Sequence, residues 1–203
     1  MGYRLYDRQQ SKLEIAATLV KAVMPLLGDY QVILLCDSWY PKGEVIATVK
    51  QYPNLDPIAA VRWDTALYNL PPAPTGKRGR PRKYGDPIDI NSLRYEKVGD
   101  YHVATKQVLT NLFETQPVEV TVTTTNIETF DSIKVFISTI TGQDIKIFKE
   151  HEVEGIDNKP QTIQYLPYFT YSLRWGIEVI FYEHKFFWSF GNYMVRNQQA
   201  IEN

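Results

Sequence analysis

The segment Gln31-Val-Ile-Leu-Leu-Cys36 does most to limit the folds open to this chain. A short, unbroken apolar run of this kind reads as a strand covered on both faces, and such strands belong to parallel sheets flanked by helices. Its neighbours agree. Residues 11–27 carry apolar positions at helical spacing, Ser11 followed by Glu14 makes a capping-box pattern, and Gly28 offers a stop. Beyond the run, a helix fits 43–52 behind Pro41-Lys42, and Ile58 to Val61 reads as a second buried strand leading into Trp63, Leu67 and Tyr68. This alternation predicts a parallel or mixed sheet with crossover helices. The run closes on Asp37, at the carboxyl end of a buried strand, where α/β sheets place their ligand groups. Taken alone, Asp37 serves equally as a turn residue or as a cap for the next helix.

Composition narrows the class. The chain has 203 residues, 44% of them apolar and 22% charged, enough to bury a substantial core and too apolar for a disordered segment. No run of 18 or more apolar residues occurs, and the N-terminus does not read as a signal peptide, so a cytoplasmic protein without a membrane span is expected. Cys36 is the single cysteine, which excludes an internal disulfide. His102, His151 and His184 have no metal-ligand spacing around them, and neither a Ser/His/Asp nor a Cys/His arrangement has support.

The net charge of −1 hides a local concentration, since Lys77, Arg78, Arg80, Arg82 and Lys83 fall within seven positions. They lie in a stretch, residues 71–87, too rich in Pro and Gly for a helix or a central strand. Gly79-Arg80-Pro81 with its basic flanks resembles an AT-hook, a segment that lays arginines in the narrow minor groove of A·T-rich DNA. A solvated loop without a partner is the competing reading. From Tyr101 the text turns to strands: His102–Phe113, Val118–Thr125, Ser132–Ile140 and Gln143–Lys149, with Thr141-Gly142-Gln143 as a hairpin turn. These predict a small antiparallel sheet built into the core.

Tyr171 to Lys185 predicts one helix that is apolar almost all round and therefore buried. At 100° per residue, Tyr171, Arg174, Glu178 and Lys185 project on one narrow line. Helix geometry alone explains Arg174 and Glu178 as a solvated i,i+4 ion pair. The spacing Tyr-x2-Arg-x3-Glu-x6-Lys, however, resembles the Tyr-Arg-Glu-Lys signature of a group of bacterial insertion-sequence transposases, DDE enzymes with a ribonuclease-H-like core. Asp37, followed by Tyr40, resembles that family's second metal-binding Asp. The 141 positions between Asp37 and Glu178 suit the subset whose core carries a β-rich insertion.

The resemblance implies an α/β fold, a partial ribonuclease-H-like core of mixed sheet and flanking helices interrupted by an antiparallel β insertion. Its expected divisions are 1–70 for the first part of the core, 71–160 for the basic loop and insertion, and 161–203 for the helix carrying Glu178. It implies that Asp37 and Glu178 are catalytic and hold Mg²⁺, with Mn²⁺ as the substitute ion. Tyr171, Arg174 and Lys185 would hold DNA, joined by Lys77, Arg78, Arg80, Arg82 and Lys83 of the loop. The partners implied are transposon ends and target DNA, and the reaction is two-metal cleavage and joining of DNA ends. Which of Tyr95, Tyr101 and Phe113 stacks on a displaced base is left open.

The family's first catalytic Asp belongs on an opening strand ahead of the helix at 11–27. Asp7 stands in a polar stretch, and Asp29 precedes the wrong end of its strand. The expectation is a chain truncated at its N-terminus, inactive alone, with an open sheet edge beside the Asp37 strand that favours a homodimer. The competing expectation is a non-enzymatic DNA-binding remnant or regulator acting through the Lys77–Lys83 loop.

Overall fold

The computed structural model describes residues 9–73, 80–149 and 160–187. Helix α1 (Lys12–Val23) starts at the predicted capping box: the Glu14 N–H donates to the Ser11 hydroxyl at 3.2 Å, and the Ser11 N–H donates to the Glu14 carboxylate at 2.6 Å. A 3-10 turn containing Pro25 ends the helix and leads into β1 (Val32–Cys36), α2 (Gly43–Val49) and β2 (Leu55–Val61). β1 and β2 pair in parallel, with Leu34 opposite Pro57 and Cys36 opposite Ala59.

The remaining strands are β3 (Leu67–Tyr68), β4 (Glu96–Val98), β5 (Tyr101–Thr110), β6 (Val118–Thr124) and β7 (Lys134–Ser138). They extend the same sheet in the order β1-β2-β7-β6-β5-β3, with β4 on the side of β5. The junction is antiparallel, Ala59 facing Ile137. The fold is therefore the expected mixed sheet with flanking helices, its antiparallel strands continuous with the parallel pair. Among the described residues, β1 forms one end of the sheet.

Alternation along β1 explains how the sheet is covered. Val32 and Leu34 face α1 and α2, joining Met24, Val49 and Leu55. Ile33 and Leu35 face the opposite layer, joining Ile58, Ile140, Ile145 and Leu166. That layer contains α3 (Gly142–Lys149) and α4 (Pro160–Ser172). A third cluster, including Val108, Val120, Val122, Val135 and Ile137, fills the antiparallel half against Ile46 and Phe113.

Two expectations fail. Residues 143–149 form helix α3 and not a strand, and Thr141-Gly142-Gln143 opens that helix where a hairpin turn was expected. The reason is a capping box: the Thr141 N–H donates to Asp144 Oδ2 at 2.8 Å, and the Asp144 N–H donates to the Thr141 hydroxyl at 3.2 Å. This local satisfaction of helix donors outweighs the β-branched Ile145 and Ile147, whose strand preference depends on context.

The predicted helix 171–185 is also not continuous. α4 ends at Ser172, and α5 (Trp175–Phe187) begins after a tight turn in which the N–H groups of Leu173 and Arg174 bond three residues back, to Thr170 and Tyr171. Gly176, weak in helices, follows the break. No residue of α5 is buried; Trp175 is 63% and Phe187 71% exposed. All-round apolarity predicts burial, but α5 departs from the sheet layers and its surface is uncovered by the described residues.

Ile58 of β2 is fully buried against the α3/α4 layer. Ile58→Ala is expected to cost about 2–5 kcal/mol in urea denaturation with an unchanged m-value. A loss below about 1 kcal/mol would contradict this placement of the core.

Candidate active site

Asp37 stands where β1 ends. It starts a local turn, its Oδ1 accepting the Trp39 N–H at 2.9 Å and its carbonyl accepting the Tyr40 N–H at 3.1 Å. It does not cap α2, whose N-cap is Lys42. One carboxylate oxygen thus shapes the turn.

A cavity of about 440 Å³ opens beside it, walled by Leu34, Leu35 and Cys36 of β1, by α1, and by Tyr40, Arg174 and Ile177. The far ends of the sequence pattern therefore converge: Asp37 and Arg174 line one cavity. Arg174 Nη2 donates to Glu178 Oε1 at 2.6 Å, while Glu178 itself does not line the cavity. The wall given by Ala16 and Leu19 of α1 is not marked in the sequence, because helical spacing shows a face without showing what it meets.

Tyr171 belongs to α4, not to the helix of Glu178. Its half-buried ring packs on Phe136, centroids 4.8 Å apart, and underlies the Arg174 guanidinium at 5.5 Å. Burial raises the Tyr171 phenol above its ordinary pKa; the Arg174 charge opposes this and the Asp37 charge adds to it, so Asp37 is felt at the ring. The side-chain exposures of Arg174 and Glu178 are 26% and 40%, and as an i,i+4 pair on a partly solvated edge their contact is worth only about 0.3–0.5 kcal/mol. Among the described residues, the buried Arg174 Nε has no hydrogen-bond partner. Lys185 lies about 10 Å farther along α5, exposed and away from the cavity.

The basic loop is stitched at its base. The Gly85 N–H donates to the Asn69 carbonyl at 2.9 Å and the Asn69 N–H to the Asp86 carbonyl at 2.9 Å. A Cβ on Gly85 would meet the Leu70 carbonyl oxygen at 2.5 Å, so only glycine fits this approach. Tyr84 stacks on Tyr68 at 4.8 Å, and Lys83 lies 5.2 Å over the Tyr84 ring. Arg80, Arg82 and Lys83 are exposed, and Arg82 reaches Asp86 at 3.4 Å. Lys77 and Arg78 lie outside the described residues, as do Asp7 and His151. A second cavity, of about 720 Å³, sits at the foot of this loop between Trp63, Tyr68, Ile88 and Phe130.

Phe113 is fully buried, which removes it as an aromatic for a displaced base, and the Tyr95 hydroxyl is engaged with the Ile90 carbonyl at 2.9 Å. Among the described residues no group of three His, Cys, Asp or Glu side chains gathers around one point, and no helix is long and apolar enough to cross a membrane.

A family model described as DDE superfamily endonuclease matches residues 6–116, the part that carries Asp37 and the basic loop but not Glu178. No curated protein and no solved structure matches the chain.

Cys36, 6% exposed at the cavity wall, has its thiol pKa pushed up to about 12, first by burial and then by the Asp37 charge. An unfolded thiol ionises near about 8.5, so stability linked to this group is intact below that pH and declines as pH rises toward the folded value. At pH 8 the native thiol is expected to react with a disulfide reagent far more slowly than in denaturant. Equal rates in both states would contradict its burial.

Proposed function

Because the chain belongs to the DDE superfamily of endonucleases, which act on DNA with divalent metal ions, we propose that it is part of an insertion-sequence transposase of the Tyr-Arg-Glu-Lys group. The single observation that supports this most is that Asp37 and Arg174, the hydrogen-bond partner of Glu178, line one cavity. Asp37 and Arg174 stand 137 positions apart in the chain.

The donor set suits the implied metal. Asp37 and Glu178 offer hard carboxylate oxygens, and Mg²⁺ takes one or two of these while retaining several waters; Mn²⁺ accepts the same ligands. When bound, the ions supply an activated oxygen nucleophile and offset the charge on the leaving oxygen. The Arg174 guanidinium lies 5.5 Å from the centre of the Tyr171 ring, and Arg174, with a planar fork of donors, suits a DNA phosphate. Lys185 and the loop residues Lys77, Arg78, Arg80, Arg82 and Lys83 extend the DNA contact outward, the loop entering the minor groove from its anchored base. On this reading the 203-residue chain alone binds metal weakly and does not cut.

A second reading, a DNA binder or regulator without catalysis, draws support from the same anchored loop, since rigid attachment limits the ordering cost of binding. For the protein's own partner we assign a second copy, joined at β1. The strand is Val-Ile-Leu-Leu-Cys, without charge or proline to discourage pairing, and an apolar cavity of about 260 Å³ between Leu19, Val20, Val23, Val32 and Leu34 lies alongside it. A two-fold axis through Leu34 makes two copies of β1 an antiparallel pair that is complementary to itself.

Binding of Mn²⁺, followed by loss of its free resonance signal, is expected to be weak in the wild-type chain and lost in both Asp37→Asn and Glu178→Gln. Retention in both would refute the shared site, and Glu178-dependent nicking of plasmid DNA would refute the inactivity. In the same preparations Arg80→Ala is expected to weaken DNA binding and lower its salt slope by about one, while Glu178→Gln leaves affinity unchanged if the second reading holds. Light scattering should report a dimer that dissociates on dilution; a monomer at every concentration would remove the β1 pairing.

A further inference from the structure

We propose that the cavity at the foot of the basic loop is an aromatic and acidic cage for an arginine side chain, presented by an extended segment of a partner protein. The cavity holds about 720 Å³ and shares no lining residue with the one beside Asp37. Its walls combine the rings of Trp63, Tyr68 and Phe130 with the carboxylates of Asp64 and Asp89. Among the described residues, no lysine or arginine lines it. Negative charge beside ring faces attracts a cation and repels a phosphate, so this cavity and the basic loop next to it call for opposite partners.

The rings are set in place by contacts of their own. Trp63 follows the end of β2 and is 65% exposed, a large ring left in water. Tyr68 stacks on Tyr84 with centroids 4.8 Å apart. Phe130 has a positive φ of 52°, uncommon for a residue with a Cβ, and meets Tyr95 edge-on at 5.7 Å. The hydroxyl of the buried Thr124 donates to the Asp131 carbonyl at 2.7 Å, and the Thr129 hydroxyl donates to the Asp131 carboxylate, which holds the Phe130 turn in that conformation. Walls arranged in advance lose little conformational freedom when a ligand enters.

The charges select the ligand. Arg62 grips Asp64 with Nε on Oδ1 at 2.9 Å and Nη2 on Oδ2 at 2.7 Å, and this bonding holds the Asp64 carboxyl below its ordinary pKa. Asp89 is fixed by accepting the Asn91 N–H on Oδ1 at 2.9 Å. Burial and then the Asp89 charge push the Tyr95 phenol up to about 12, so that charge is felt behind the Phe130 ring. Arg62 offsets one of the two lining carboxylates and leaves one negative charge, the complement of a single guanidinium. A guanidinium is flat enough to lie on a ring face and forked to meet a carboxylate. Asn91 and Thr129 line the cavity from exposed positions and offer amide and hydroxyl groups to a flanking peptide backbone. Because Tyr68 and Pro87 both line the cavity and bridge at the base of the loop, a partner seated here lies beside the DNA contact.

The test uses the full isotope-labelled chain and two probes, acetyl-Gly-Arg-Gly-amide and its citrulline counterpart, which keeps the shape of arginine without its charge. The chain has four tryptophans, and the Trp63 indole N–H signal is the one lost in Trp63→Phe. The arginine peptide is expected to shift that signal and to bind at least about tenfold more tightly than the citrulline peptide. Asp89→Asn, which keeps a capping side chain for the Asn91 N–H, is expected to weaken the arginine peptide at least about fivefold. The comparison of the two peptides on the wild-type chain stands even where a variant fails to fold. Equal affinities for the two peptides, or a Trp63 signal that neither moves, would overturn the cage. A shift caused by a single-stranded oligonucleotide and not by the arginine peptide would overturn it in favour of a nucleobase pocket.

Discussion

The pairing of β1 with β2 is the contact on which the rest of the molecule depends. Cys36 faces Ala59 across that pair, and each strand is covered by helices on both sides, so neither register nor direction can change without expelling a core side chain. β1 therefore ends at a fixed height, and Asp37 is presented at a fixed point beside α1. β2 then carries the sheet into β7 through Ala59 and Ile137, which ties the antiparallel half to the same frame. The α3/α4 layer closes on Ile33, Leu35 and Ile58, bringing Tyr171 and then Arg174 back to the end of β1.

How much of this the sequence shows depends on whether the signal is local. The Ser11–Glu14 capping box and the apolar run of β1 are complete within a few residues, and both are found where they were read. At α3 the β-branched Ile145 and Ile147 suggest a strand, and the Thr141–Asp144 cap outweighs them. The break before α5 was harder, since no proline marks it and only Gly176 nearby weakens the helix. The pattern of the four signature residues hides it as well: Tyr171 and Glu178 keep helical spacing while belonging to different helices. Which surface of α1 walls the cavity was not legible at all, because that depends on contacts between elements far apart in the chain.

α5 carries the largest contrast between expectation and structure. A helix with Trp175, Ile177, Phe181 and Phe187 on its surface reads as buried, yet each of these is more than half exposed. Its apolar surface is left uncovered by the described residues, whereas its first turn is held by the Arg174–Glu178 contact and by Ile177 at the cavity wall.

The claim that one ion site draws on both ends of this chain is tested most directly by anomalous scattering from crystals grown with Mn²⁺. A manganese peak held by carboxylate oxygens of both Asp37 and Glu178 is the result expected. A peak bound to one of them alone, or the two carboxylates facing separate solvent with no ion between, would contradict it.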